Sequence, residues 1–221
     1  MKFIDLFDLS HTLADKFLKR FNYPWQALPE IKNFIIEYGN ALNAEEFIQI
    51  KPQVWVHKSA KISQSAYIGS PCIVGANTEL RHGAFIRGSA LIGETCVVGN
   101  STEIKNSILF DGVQVPHFNY VGDSILGYKT HLGAGVITSN VKSDKSPISV
   151  KRGEEVISTG LKKFGAILGD FVEIGCNSVL NPGAIIGRNS TVYPLSSVRG
   201  VIKENSIYKN SGEVILKTQR D

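Results

Sequence analysis

The chain has 221 residues, enough for one large domain or two small ones. Hydrophobic residues make up 43% and charged residues 20%, so a substantial core can be buried and wholesale disorder is excluded. Lys and Arg number 24 against 20 Asp and Glu, a net charge of +4 that slightly favours small anions. It makes no case for nucleic acid, whose partners carry a concentrated basic stripe. Cys72, Cys96 and Cys176 are an odd, widely spaced set without a CxxC pair, which argues against a disulfide framework or a zinc ribbon and for a reducing compartment. The first residues, MKFIDLFDLSHTL, lack an apolar signal core, and no run reaches the roughly 18–20 apolar residues of a membrane span. The expected setting is cytoplasmic, without a membrane partner.

Residues 1–48 read as a small helical cap. Leu13, Phe17, Leu18 and Phe21 share a helical face after Ser10, a suitable N-cap. Ile31, Phe34, Ile35, Tyr38 and Leu42 make a second face, with Pro29 near its start and Gly39 inside it. Tyr23-Pro24-Trp25 links the two. The cap is expected to protect one open end of the structure that follows, because exposed β edges invite association. A docking arm for a separate partner remains open.

From Ile50 the sequence repeats in sixes: Val56, Ile62, Ile68, Val74, Leu80, Ile86, Ile92, Val98 and Ile104 are all aliphatic. Glycine follows at Gly69, Gly75, Gly93 and Gly99. The frame slips by one to Leu109, Val115 and Val121, slips again to Leu126 and Leu132, and resumes at Leu168, Ile174, Leu180, Ile186, Val192 and Val198. A helix would show a period of 3.6 and a flat sheet a period of 2. A six-residue period fits a parallel β-helix, in which each hexad gives a short strand and a turn, and stacked coils build the core from inward aliphatic residues. The domain is placed at 49–200. Between them, Ser139–Lys163 form a polar insertion carrying Lys142, Lys145, Lys151, Arg152, Lys162 and Lys163, and 201–221 is a tail expected to pack along the outside.

Polar residues that break a solenoid repeat are the informative ones. Pro116-His117-Phe118-Asn119-Tyr120-Val121-Gly122-Asp123 lies at the frame slips, preceded by Glu103-Ile104-Lys105, whose polar pair straddles an inward aliphatic. His131 and Asn140 follow. A His, a Tyr, a Lys and a Glu on nearby coils of one rigid wall point to one cleft.

These residues resemble a known family. The hexapeptide pattern is similar to that of the left-handed β-helix acyltransferases. The 116–123 segment, its spacing from Glu103 and Lys105, and the stretch Leu132-Gly133-Ala134-Gly135-Val136-Ile137-Thr138-Ser139-Asn140 resemble the acetyltransferase domain of bifunctional enzymes that acetylate glucosamine-1-phosphate and uridylate the product. The Phe7-Asp8-Leu9-Ser10 and Tyr23-Pro24-Trp25 segments, the basic insertion and Lys162-Lys163-Phe164-Gly165-Ala166 are closer to the archaeal-type sugar-1-phosphate nucleotidylyltransferase/acetyltransferases. The resemblance covers nearly the whole chain.

It implies an all-β left-handed solenoid, acetyl-CoA as co-substrate without a metal, an amino-sugar-1-phosphate acceptor and a homotrimer. Position by position it implies His117 as general base, a role that suits imidazole. Tyr120 would hold substrate near the reacting carbon, and the Ala134 N–H would face the oxyanion. Arg87 and Lys105 would take the sugar phosphate. Glu103 would orient Lys105 or a sugar hydroxyl, and Asn140 would meet the sugar. Cys176 and Pro194 fall on the acetyl-CoA side, with Lys162, Lys163 and Arg188 as candidates for its phosphates. Lys142 and Lys145 are substrate candidates in the insertion.

The chain departs from the bacterial pattern at His131, where the family has Asn, and at Cys176, where it has Ser. It carries no Gly-rich nucleotidyltransferase signature, so nucleotidyl transfer is expected to be absent or supplied by a separate partner. Three other readings stay open at this point: an acyltransferase for another sugar or small acceptor, a non-catalytic β-helix subunit of a separate nucleotidyltransferase, and a zinc enzyme of the γ-carbonic-anhydrase type. The last needs three histidines around one metal; His82, His117 and His131 are the candidates, without a His-x4-His pair.

Overall fold

The computed structural model describes residues 2–217; the side chain of Arg152 and the last four residues of the expected tail lie outside the described residues. The six-residue period is realised as a β-solenoid of about nine turns. Its strands stack in three columns, parallel and in register. The first column runs through Glu79, Val97, Gln114, His131, Glu173 and Thr191 and forms a largely polar face. The second runs through Phe85, Glu103, Tyr120, Ile137, Val179 and Ser197. The third runs through Trp55, Ile73, Leu91, Ile108, Ile125, Ile167 and Ile185. Strands Phe85–Ile92, Glu103–Leu109 and Tyr120–Leu126 pass through the corner between the second and third columns, so one 13-stranded sheet wraps both faces.

The periodic aliphatic residues fill the interior: Val74, Leu80, Ile86, Ile92, Val98, Ile104, Leu109 and their successors form one buried core. The third face is apolar outside as well. Ile73, Leu91, Ile108, Ile125, Ile167 and Ile185 are buried in a second core beneath the N-terminal segment. Strands covered on both sides read as short continuous apolar runs, here Cys72-Ile73-Val74 and Ala166-Ile167-Leu168.

The N-terminal segment therefore lies along the side of the solenoid, where it removes an aliphatic stripe from water, and does not plug its end. The helix expected after Ser10 is shorter than the pattern suggested, Asp15–Leu18. Asp8, not Ser10, caps the preceding turn at Leu9–His11 by accepting the Ser10 N–H at 3.0 Å. The second helix runs Ile31–Asn40. Gly39 is required there because a Cβ would fall 2.3 Å from the Trp55 ring. Antiparallel strands close the coil: Phe47–Lys51 pairs Val54–His57, and Val214–Leu216 pairs Ser206–Tyr208.

Two further segments differ from the sequence reading. Val201–Ile202 and Ser206–Tyr208 continue the parallel columns instead of packing outside. The insertion contains a hairpin, Ser149–Arg152 with Glu155–Ser158, tied to the second core by buried Ile148 and Val150. The frame slips also have a cause. Ile86 pairs with Ile104 eighteen residues on, whereas Ile104 pairs with Val121 seventeen on. The shortened corners hold Asn106 and Asp123 in left-handed backbone, at φ 47° and 50°. No helix among the described residues is long and apolar enough to cross a membrane.

Candidate active site

The corner after the first column brings four of the expected residues into line. The Gly135 N–H donates to the His117 carbonyl at 3.1 Å, the Asn177 N–H to Ala134 at 2.8 Å, and the Leu195 N–H to Cys176 at 3.0 Å. His117, Ala134, Cys176 and Pro194 thus occupy one corner position on successive rungs. At the usual spacing of ~4.8 Å between strands, Ala134 lies one rung from His117 and Pro194 about 14 Å along. The His117 side chain is exposed, and its ring has no polar partner among the described residues. The Ala134 N–H makes no hydrogen bond among them either.

Buried Asn119 holds this corner. Its Oδ1 accepts the His117 N–H at 3.2 Å, and its Nδ2 donates to the Gly133 carbonyl at 2.7 Å. Phe118, between them, takes φ 53° and is 58% exposed.

The far side of the second face carries the charges. Arg87 Nη1 donates to Glu103 Oε1 at 2.8 Å across neighbouring coils. That carboxylate raises the guanidinium's affinity for its proton. Glu103 therefore meets Arg87, and Lys105 is oriented by a different residue. Lys105 Nζ donates to Asp123 at 3.1 and 3.3 Å. Asn106 Nδ2 donates to the same carboxylate at 2.8 Å, and Asn140 Nδ2 donates to it as well. Asn140 also donates to the Tyr120 hydroxyl at 3.2 Å. The phenol packs over Gly122, where a Cβ would fall 2.5 Å from its oxygen. Burial raises the Tyr120 pKa above the ordinary phenol value, and the Asp123 and Glu103 carboxylates raise it further.

Arg87, Glu103, Lys105, Tyr120 and Asn140 thus gather at one end of the second face, and His117 and Ala134 edge its other side. The remaining candidates are elsewhere. His131 is on the polar face, with Nδ1 2.9 Å from Glu173. Lys142 donates to Ser146 and to the Pro147 carbonyl within its own loop, and Lys145 is exposed on it. Exposed Lys162 and Lys163 flank the Asn140 side, where the Phe164 N–H donates to the Asn140 carbonyl at 3.0 Å. Arg188 is apart from the corner: it pairs with buried Asp170 at 3.0 Å and lines a cavity of about 780 Å³ against the N-terminal segment. Asn106, Asn119 and Asp123 were not singled out from the sequence. The last two sit inside the quoted motif, but Gly133 on Asn119 and all the side-chain partners of Asp123 come from other coils, which spacing alone does not reveal. No group of three or more His, Cys, Asp and Glu among the described residues could hold a metal ion.

Residues 82–207 match the family described as GMPPB C-terminal domain. The chain belongs to this family, and its coil is a parallel β-solenoid of the acyltransferase class. Among curated relatives, it is 31% identical over 189 residues to a bifunctional sugar-1-phosphate nucleotidylyltransferase/acetyltransferase of Sulfurisphaera tokodaii, covering 84% of this chain and 47% of the relative. It is 38% identical over 113 residues to the bifunctional protein GlmU of Methanococcus maripaludis, covering 50% and 27%. It is 36% identical over 214 residues to the uncharacterized acetyltransferase YaiX of Escherichia coli O6:K15:H31, covering 85% and 89%. The chain thus spans half or less of the two bifunctional relatives.

Proposed function

We propose that the chain is an acetyl-CoA-dependent N-acetyltransferase that acts on an amino-sugar-1-phosphate in nucleotide-sugar biosynthesis. The observation that carries the reading is the corner column. Among the described residues the His117 imidazole and, one rung along, the Ala134 N–H have no partner, and exposed Cys176 and Pro194 follow.

Acetyl-CoA would lie along the later rungs, its thioester near Ala134. The acceptor would lie across the second face, its phosphate toward Arg87 and Lys105 and its hydroxyls toward Glu103, Tyr120 and Asn140. The amine nitrogen attacks the thioester carbon, a C–N bond forms, and negative charge moves to the carbonyl oxygen. The Ala134 N–H is a fixed donor for that oxygen. His117 takes the proton lost by the amine and returns it to sulfur as the C–S bond breaks, giving the N-acetyl sugar and free CoA thiol. Lys162 and Lys163, expected at the acetyl-CoA phosphates, lie beside Asn140 on the acceptor side.

A homotrimer is part of this reading. Exposed Tyr67 and Phe85 on the second face, with Phe118 and Leu195 at its corner, are apolar surface that a neighbouring copy would cover. Three free thiols suit a reducing, cytoplasmic setting.

The test is thiol release from acetyl-CoA with glucosamine-1-phosphate and galactosamine-1-phosphate, with wild type beside His117→Ala. Saturable turnover that falls ~100-fold or more in the variant is expected, the scale of a lost general base. No turnover with either sugar from folded protein would overturn the reading and favour another acceptor or a non-catalytic role.

A further inference from the structure

We infer that Asp123 is a positioning residue that fixes the Lys105 ammonium and the Asn140 amide at the anion-binding end of the acceptor site. What those two groups hold rests on the acceptor proposed above; the positioning itself does not.

Every side chain that meets the Asp123 carboxylate is a donor. Oδ1 takes Asn106 Nδ2 at 2.8 Å and Lys105 Nζ at 3.3 Å. Oδ2 takes Lys105 Nζ at 3.1 Å and Asn140 Nδ2. The donors come from two neighbouring coils, so one buried group ties three rungs together. Asp123 is only 4% exposed, and its backbone is held in the left-handed region at a shortened corner, with its carbonyl accepting the Gly165 N–H at 2.8 Å. The carboxylate is anchored from behind. Asn106 Nδ2 also donates to the Leu28 carbonyl at 3.2 Å, which connects it to the N-terminal segment. The connected groups run from Leu28 through Asn106 and Asp123 to Lys105, Asn140 and the Tyr120 hydroxyl. Long lysine and amide side chains are costly to immobilise, and a filled acceptor set removes that cost before substrate arrives.

A carboxylate is an acceptor on both oxygens, whereas an amide of the same shape is a donor on one side. Asp123→Asn must therefore aim an NH2 at Lys105, Asn106 or Asn140. In the full chain, this variant is expected to raise the acceptor KM by about 10-fold or more, the scale of a lost hydrogen bond to a charged group. The acetyl-CoA KM should move less than about twofold on the same grounds. The losses in Asp123→Asn and Lys105→Met should be non-additive in the double variant. Without any ligand, the NMR side-chain amide signals of Asn106 and Asn140 should shift and exchange faster in Asp123→Asn. Asn106→Ala is the second variant. It removes the hydrogen bond to Asp123 Oδ1 together with the anchor to Leu28, and leaves the carboxylate and Lys105 in place, so the Asn140 signal should move there too.

A parallel rise in both KM values, additive losses, or unmoved Asn140 signals in both variants would overturn the inference. If wild type acetylates no amino-sugar phosphate, the proposed function fails while the amide spectra still decide the role of Asp123.

Discussion

Arg87 and Glu103 sit on neighbouring coils with Nη1 and Oε1 2.8 Å apart. The guanidinium proposed to meet the acceptor's phosphate is therefore already paired, on a half-exposed surface where such a pair is worth little. An incoming phosphate can take one edge of the guanidinium without separating the pair, because the fork has donors left. Glu103→Gln keeps the shape and removes the competing charge. If Glu103 serves only Arg87, the acceptor KM should fall by a few-fold, and Arg87→Ala should raise it about 10-fold. Steady-state kinetics at saturating acetyl-CoA measure both.

The three cysteines should separate sharply in a thiol titration. Burial pushes Cys72 and Cys96 up to about 12, so neither supplies thiolate near neutral pH. Cys176 is exposed on the corner column. One fast-reacting thiol in native protein is expected at pH 8, with the other two reacting only after denaturation. Acetyl-CoA should slow the fast one, and Cys176→Ser should abolish it. Fast labelling unaffected by acetyl-CoA would put the co-substrate elsewhere.

Tyr120 predicts a pH dependence at the alkaline end. Its folded pKa is raised by burial and then by the Asp123 and Glu103 carboxylates. In the window between the ordinary phenol value and the raised one, the folded state holds a proton that the unfolded state has lost. The stability linked to this group is fully present below pH 10.0 and is lost as pH rises through the folded value. Denaturant midpoints of wild type should fall more steeply above that pH than those of Tyr120→Phe.

Gly122→Ala should displace the phenol without unfolding the chain. The added Cβ meets the tip of the Tyr120 side chain, which can swing away, and not a backbone atom. A thermal midpoint near wild type with a loss of acceptor affinity similar to that of Tyr120→Ala is the expected pair of results. In contrast, Gly99→Ala would place a Cβ 1.6 Å from the Pro116 carbonyl oxygen and should prevent correct stacking.

Ile125→Ala tests the covered face. Ile125 is fully buried in the second core, beneath the N-terminal segment. A loss of about 2–5 kcal/mol is expected from chemical denaturation, comparable to Leu126→Ala inside the coil. A loss below ~1 kcal/mol would mean that the segment docks loosely.

The coil was legible in the sequence because a single inward aliphatic residue per hexad suffices to announce it. The covered face was not. Residues such as Ile108 and Ile125 stand one place before the periodic Leu109 and Leu126, and look like part of the same strand. Only the stacking of coils shows that they form a second stripe needing its own cover, so the hexad pattern alone points the N-terminal segment to an end. Of the candidate site, His117 and Tyr120 stand out in the sequence because they fall in one stretch that breaks the repeat, whereas Asp123 in the same stretch does not. The donors on Asp123 lie 17 and 18 residues away in sequence, one coil in either direction, and no local pattern joins them.

The rungs of a parallel coil act as a ruler. His117 and Ala134 are one step apart, so their separation is set by backbone hydrogen bonds and not by the side chains themselves. Substitutions at the corner can then change which groups face the reacting atoms while the interval between them stays fixed. Removing the coil that carries Cys176 would bring Pro194 one step of ~4.8 Å nearer to Ala134. Such a deletion would change how long a molecule the cleft can span, with the chemistry at each end left intact.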